Sequence, residues 1–208
     1  MIEVRQAKNG VEFSIMEQFL WLLPLGFAVG TFGTLIGAGG GFILIPVLLL
    51  LYPDKSPETI TSISLAVVFF NALSGSFAYA RMKRIDYKSG SIFAAATIPG
   101  SILGAYTTSF IPRNIFNGVF GVLLIAAALF LIMKPKNDKV TEGKPPKHYI
   151  TRSVTDIEGI CYTFSYNPIL GIVISVLVGY LSSLLGIGGG IIHVPVLVHV
   201  LNFPVHIA

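Results

Sequence analysis

The chain has 208 residues, 53% of them hydrophobic and 12% charged, with a formal net charge of +4. Soluble domains carry roughly 25% charged residues, so most helix faces here cannot be solvated by water. That excludes an ordinary soluble enzyme and a disordered chain, and it argues against nucleic-acid binding despite the positive balance; the solvent these residues suit is a lipid bilayer.

Residues 1–16 mix Glu3 and Glu12 with Arg5 and Lys8. They lack the basic start and small-residue cleavage site of a signal peptide, so the first apolar segment is expected to be kept. From Gln18 to Pro53, 36 residues contain no Asp, Glu, Lys or Arg. As one straight helix they would measure ~54 Å, against a hydrocarbon core of ~30 Å. The cluster Gly37-Ala-Gly-Gly-Gly41 lies at the middle of this run, and each glycine costs about 1 kcal/mol inside a helix. A break is expected there, giving a membrane-embedded hairpin: one arm from Phe19 to Ile36, a turn at the glycines, and a short arm to Tyr52. Pro46 fits early in that second arm, where its missing N–H costs little.

Three more charge-free stretches follow, Thr59–Ala80, Ser89–Pro112 and Asn114–Met133, of 22, 24 and 20 residues. Each is long enough for a helical span, and none has the alternating ~10-residue pattern of a barrel strand. The first two are separated by the basic loop Arg81–Lys88. Residues 134–165, with Pro135, Pro145, Pro146 and mixed charges, read as a soluble linker. The final 50 residues, Gly159–Ala208, again contain no Asp, Glu, Lys or Arg. The single cysteine, Cys161, excludes an internal disulfide and a CxxC metal site.

The chain repeats itself. Gly37-Ala-Gly-Gly-Gly41, followed by Pro46-Val-Leu48, returns at an offset of 149 as Gly186-Ile-Gly-Gly-Gly190, followed by Pro195-Val-Leu197. Between Leu25 and Leu48 and their counterparts, 11 of 24 positions are identical. Shared apolar composition does not easily produce such a spaced pattern twice. The expected organisation is an N-terminal segment (1–16), a first transmembrane repeat (17–133), the linker (134–165) and the start of a second repeat (166–208). The second copy is expected to be incomplete, since four residues follow Pro204.

Of the 14 Lys and Arg, a hairpin followed by three spans puts ten on one face and four on the other. The ten lie in loops 81–88 and 134–165, which the positive-inside rule makes cytoplasmic. An odd number of crossings then turns the second repeat over. The expected fold is an all-α integral membrane protein of the cell membrane, a polytopic helical bundle with inverted repeats and Gly-broken, discontinuous helices, as in many transporters.

At each glycine break a helix begins, and a helix N-terminus carries about half a positive charge and binds anions without a basic side chain. Gly37, Gly39, Gly40 and Gly41, with Gly186, Gly188, Gly189 and Gly190, are therefore the candidate anion site. The structural alternative is close helix crossing through small residues, which suits Gly26, Gly30 and Gly33. These motifs, with Pro57-x-x-x-Thr61-Ser62 and Asn71-x-x-Ser74-Gly75, resemble the TauE/SafE sulfite exporter family of multi-pass anion permeases. The resemblance implies a permease or exporter for sulfite or a related sulfur-containing or organic anion, with sulfonates and carboxylates as rival substrates.

Thr61, Ser62 and Asn71 could complete the site with hydroxyl and amide groups, or only bond between helices. His193, close to the second glycine block, could donate to an anion or titrate, or be a satisfied core histidine. His193, His199 and His206 lack the i, i+4 spacing of helical metal ligands, and neither metal nor cofactor is expected. The expected partners are a small anion and the lipid bilayer; a homo-oligomer is compatible. Two other classes compete: an intramembrane serine protease using Ser74 and His193, and a non-catalytic membrane scaffold.

Overall fold

A computed structural model describes residues 20, 22–36, 39–133, 149–201, 203, 204 and 207. Seven helices and one two-stranded sheet occur among them. In chain order they are α1 (Leu22–Ile36), α2 (Gly41–Leu51), α3 (Pro57–Arg81), α4 (Tyr87–Thr108), α5 (Arg113–Met133), β1 (Ile150–Thr155), β2 (Cys161–Tyr166), α6 (Pro168–Leu185) and α7 (Gly190–His199). By length and composition, α3 and α6 are each able to cross a membrane.

Local chemistry sets the helix starts. Ser56 caps α3 by accepting from the Thr59 amide, with Pro57 in the first turn. Asp86 caps α4 through the amides of Lys88 and Ser89, and Asn167 caps α6 through those of Ile169 and Leu170, ahead of Pro168. In each case a side-chain oxygen satisfies amides that a helix leaves without internal partners. Pro46 and Pro195 lie inside α2 and α7, at corresponding positions after the helix starts Gly41 and Gly190. There each removes the hydrogen bond to the carbonyl four residues back, that of Phe42 or Ile191.

The bundle is held by two packed regions. The first surrounds α2, whose Leu44, Ile45 and Leu48 are buried against Val29 of α1, Ile60 of α3, Phe116 and Phe120 of α5, and Leu184 and Leu185 of α6. The second is the long crossing of α4 with α6, the most extensive helix contact. Gly100 and Gly104 of α4 lie against backbone of Val176 and Tyr180, and Gly179 of α6 lies against the Thr97 carbonyl. Small residues let backbones approach where lipid supplies no hydrophobic drive between helices. At Gly26 and Gly30, where the sequence suggested such a crossing, a Cβ would meet no atom within 4 Å. Outward faces are strongly apolar: Phe27, Leu50, Phe70, Ile102 and Val122 are each more than 60% exposed. A water-soluble monomer does not carry so much apolar surface, whereas lipid covers it at no cost.

The sheet corrects the all-α expectation. Part of the linker, 134–148, lies outside the described residues. The rest forms a hairpin with Ile150 opposite Tyr166 and Thr155 opposite Cys161. Alternation explains it: Thr151 and Ser153 meet Ser165 and Thr163 on the open face, while Phe164 and Tyr166 are buried on the other. Asp156 shapes the turn by accepting from the amides of Glu158 and Ile160, at 2.9 and 3.1 Å, and Gly159 takes φ 81°.

Polar contacts tie the ends of the bundle. Arg113, at the start of α5, donates to the carbonyls of Leu49 (2.7 Å), Tyr52 (3.2 Å) and Lys55 around the end of α2. Arg84, between α3 and α4, donates to Asp156 at 3.1 Å, and the Ile157 amide donates to the Met82 carbonyl. Burial alone would raise the Asp156 pKa; the amides of Ile160 and Glu158 and the Arg84 guanidinium outweigh it and hold the carboxyl below its ordinary value.

Candidate functional site

The two glycine blocks lie against each other. A Cβ on Gly41 would stand 2.8 Å from the carbonyl oxygens of both Gly186 and Ile187. Helix α3 runs past both blocks: Val68, near its middle, is the nearest neighbour of Gly39 and of Gly188. One turn and two turns before it, Ser64 donates to the Gly186 carbonyl at 2.7 Å and Thr61 backs Gly186.

The breaks share a backbone pattern. The Gly40 carbonyl accepts from the amides of Ile43 and Leu44; the Gly189 carbonyl, 149 positions on, accepts from those of Ile192 and His193. Gly39 and Gly188 have φ 73° and 75°, a region that a side chain strains. Each block therefore delivers the chain into a new helix, α2 or α7. The first amides of such a helix have no intrahelical acceptor. Gly37 falls outside the described residues.

A cavity of about 550 Å³ opens beside the second block. Leu65, Val68 and Phe69 of α3 and Ile102 of α4 give it apolar walls. Its polar side is formed by Thr97 and Ser101 of α4, Ser182 and Ser183 of α6, Gly188, Gly189 and His193. Its volume lies in the range of small-molecule sites, and it is open on the side of Phe69 and Ile102, which are 61% and 63% exposed. Ser182 is 6% exposed, its Oγ has no hydrogen-bond partner, and it stands 3.9 Å from where a Cβ on Gly189 would lie. A buried hydroxyl left unpaired costs about 1–3 kcal/mol.

Of the side chains singled out in the sequence, His193 lines this cavity, and its Nε2 lies 3.3 Å from Ser175 Oγ. Thr61 is buried but bonds within its own helix, donating to the Glu58 carbonyl. Asn71 accepts from Thr34 of α1 at 2.7 Å, and Ser62 is exposed. None of those three lines the cavity. Sequence reasoning missed Ser182 and Ser175. They replace Gly33 and Gly26 of the first copy, a signal available only from the mismatched positions of the repeat. Among the described residues no group of three His, Cys, Asp or Glu could hold a metal.

A family model described as "Sulfite exporter TauE/SafE" matches residues 22–208. The chain is similar to probable membrane transporter protein YunE of Bacillus subtilis, with 38% identity over 91% of this chain and 71% of that protein. It is also similar to a probable membrane transporter protein of Methanocaldococcus jannaschii, with 31% identity over 86% of this chain and 63% of that protein. No solved structure matches the chain.

Proposed function

The chain belongs to the TauE/SafE sulfite exporter family, and on that premise we propose that it carries a small anion, sulfite or a related sulfur-containing or organic anion, across the cell membrane. The observation that carries this reading is the meeting of the two glycine blocks at the middle of α3. Two helices begin there, and a built cavity adjoins one of them. Aligned amides of a helix start favour negative charge most where the dielectric is low. The glycines 39–41 and 186, 188–190 are the backbone part of the site, and His193 is its side-chain part.

The proposed architecture is a pair of inverted repeats. In support, α2 ends beside Arg113, whereas α7 leads to Leu197, Leu201 and Phe203, packed with Phe164 and Tyr166 of the hairpin. The hairpin and the basic loop 81–88, joined by Arg84 and Asp156, are then cytoplasmic by the positive-inside rule. The serine-protease alternative falls away: the named relatives are membrane transporters, Ser74 does not line the cavity, and the hydroxyl beside His193 is that of Ser175.

An inside-negative potential favours anion exit by about 2.3 kcal/mol per charge per 100 mV. Flux of sulfite, sulfate, thiosulfate, methanesulfonate and acetate from proteoliposomes under a clamped potential tests the reading. Efflux of at least one anion is expected, and for the dianions sulfate and thiosulfate it is slowed when the potential is reversed. Absence of flux for all five contradicts it.

A further inference from the structure

The cavity is lined by one titratable side chain. His193 lines it, and no Asp, Glu, Lys, Arg, Cys or Tyr does so among the described residues. Each element around the ring presents neutral groups. Helix α4 offers Phe93, its ring centroid 6.3 Å from that of His193, and Thr97. Helix α6 offers Ser175, Gly179 and Ser182, and α3 offers Val68 and Phe69. An anion entering this space meets dipoles and one imidazole, with no fixed positive charge to balance it.

Two independent features point to an oxyanion here. The chain enters α7 at Gly190, directly after Gly189 of the cavity wall, which brings the positive end of the helix dipole to that wall. The Ser182 hydroxyl, more than nine-tenths buried and unpartnered, stands next to Gly189 on the same wall. A hydroxyl donor left unsatisfied in an apolar surround is satisfied by an anionic oxygen. Dipoles reduce the cost of burying a charge but do not cancel it; a protonated imidazole does.

We propose that the cavity binds its anion together with one proton, held on His193, with the Ser182 hydroxyl donating to the anion. The proposal rests on the anion-carrier reading and adds what that reading leaves open, the ion that travels with the substrate. In the binding step, neutral His193, one monoanion and one proton from water become an imidazolium–anion pair. The cavity's net charge is unchanged, and no covalent bond other than N–H forms. Ser175 keeps its hydrogen bond by accepting from Nε2–H, so it positions the ring in both protonation states. Linkage is reciprocal: the anion favours protonation, and lower pH favours the anion. A carrier of this kind moves a monoanion without net charge, so a pH gradient drives it and the membrane potential contributes little; the potential acts fully on a dianion's remaining charge.

The test uses the purified full chain in detergent, with methanesulfonate and thiosulfate as probes, since neither titrates between about pH 6 and about pH 8.5, where histidine does. Affinity is measured by calorimetry in buffers of different ionisation enthalpy, which also counts protons. The expected result is uptake approaching one proton per anion at the upper end of the range, with Kd rising up to about tenfold per pH unit there. His193→Gln and, as a second neutral replacement, His193→Asn are expected to bind more weakly, with no proton uptake and a flat pH profile. Ser182→Ala is expected to weaken binding about tenfold or more while leaving the pH slope as in the wild type. Binding by the wild type without proton uptake, or an unchanged slope in both His193 variants, overturns the proton linkage and leaves the anion site standing. Absence of binding of both probes at every pH overturns the anion reading of the cavity and this proposal with it.

Discussion

The two glycine breaks are copies in sequence and share a hydrogen-bond pattern at the start of the following helix, yet their surroundings differ. At the first, Gly33 lies so close to Gly40 that a Cβ on Gly33 would fall on the Gly40 amide and Cα. Leu44 follows, buried in the core at 5% exposed. At the second, Ser182 stands where Gly33 stands in the first copy, and His193 where Leu44 does. Ser182 lines the cavity beside the second break, its Oγ 3.9 Å from where a Cβ on Gly189 would lie. The backbone conformation differs as well: Gly40 takes φ 84°, whereas Gly189 takes φ −69°. A duplicated motif therefore fixes where helices stop and start. Two of the positions at which the copies differ, Ser182 and His193, line the cavity at the second break.

Exchanging those positions is the strongest way to break the comparison. Gly33→Ser forces a side chain into backbone and is expected to cost about 2–4 kcal/mol, comparable to severe overpacking. The reverse change, Ser182→Gly, removes an unsatisfied hydroxyl and is expected to cost less than about 1 kcal/mol while weakening anion binding. Thermal unfolding of both variants in detergent checks the asymmetry; equal losses would show that the breaks are packed alike. A smaller effect tests the anchoring of the first break. Arg113→Ala removes charged hydrogen bonds from the end of α2 and is expected to cost about 1.5–3 kcal/mol. Arg113→Lys, which keeps the charge but not the fork, should recover part of it, read from the same melts.

The smallest effect concerns the hairpin near the second break. Asp156 has a depressed pKa in the folded chain, so its contribution is present above the ordinary carboxylate value and is lost as pH falls through the folded value. Hydrogen exchange of the Cys161–Tyr166 amides is expected to accelerate below about pH 4 relative to the intrinsic rate, and Arg84→Ala should move that onset upward. Protection that stays constant through this range would show that the Arg84–Asp156 pair does not hold the hairpin.

Much of the helical layout is legible in the sequence because charge and capping chemistry mark it. The stretches Thr59–Ala80, Ser89–Pro112 and Asn114–Met133 correspond to α3, α4 and α5, and Ser56-Pro57 and Asn167-Pro168 carry capping signals that any reader can find. The glycine blocks are named by their repetition; that they lie against each other through Gly41 and share Val68 is tertiary geometry that spacing alone does not contain. Helix crossing is less legible. Small residues four apart occur in α1 as Gly26 and Gly30 and in α4 as Gly100 and Gly104, and only the second pair meets a partner. The hairpin was hidden because its alternation is short and lies beside a polar, proline-rich stretch. The role of Arg113 was hidden because acceptance by three backbone carbonyls leaves no trace in side-chain identity.

Anomalous scattering from crystals soaked in selenate locates a bound oxyanion directly. The account predicts a selenium peak within hydrogen-bond reach of Ser182 Oγ, beside Gly188–Gly190 and level with Val68. Selenate found only along the basic loop Arg81–Lys88 or at the water-facing ends of the helices, with the cavity empty, would contradict the claim that the meeting of the two breaks creates the anion site.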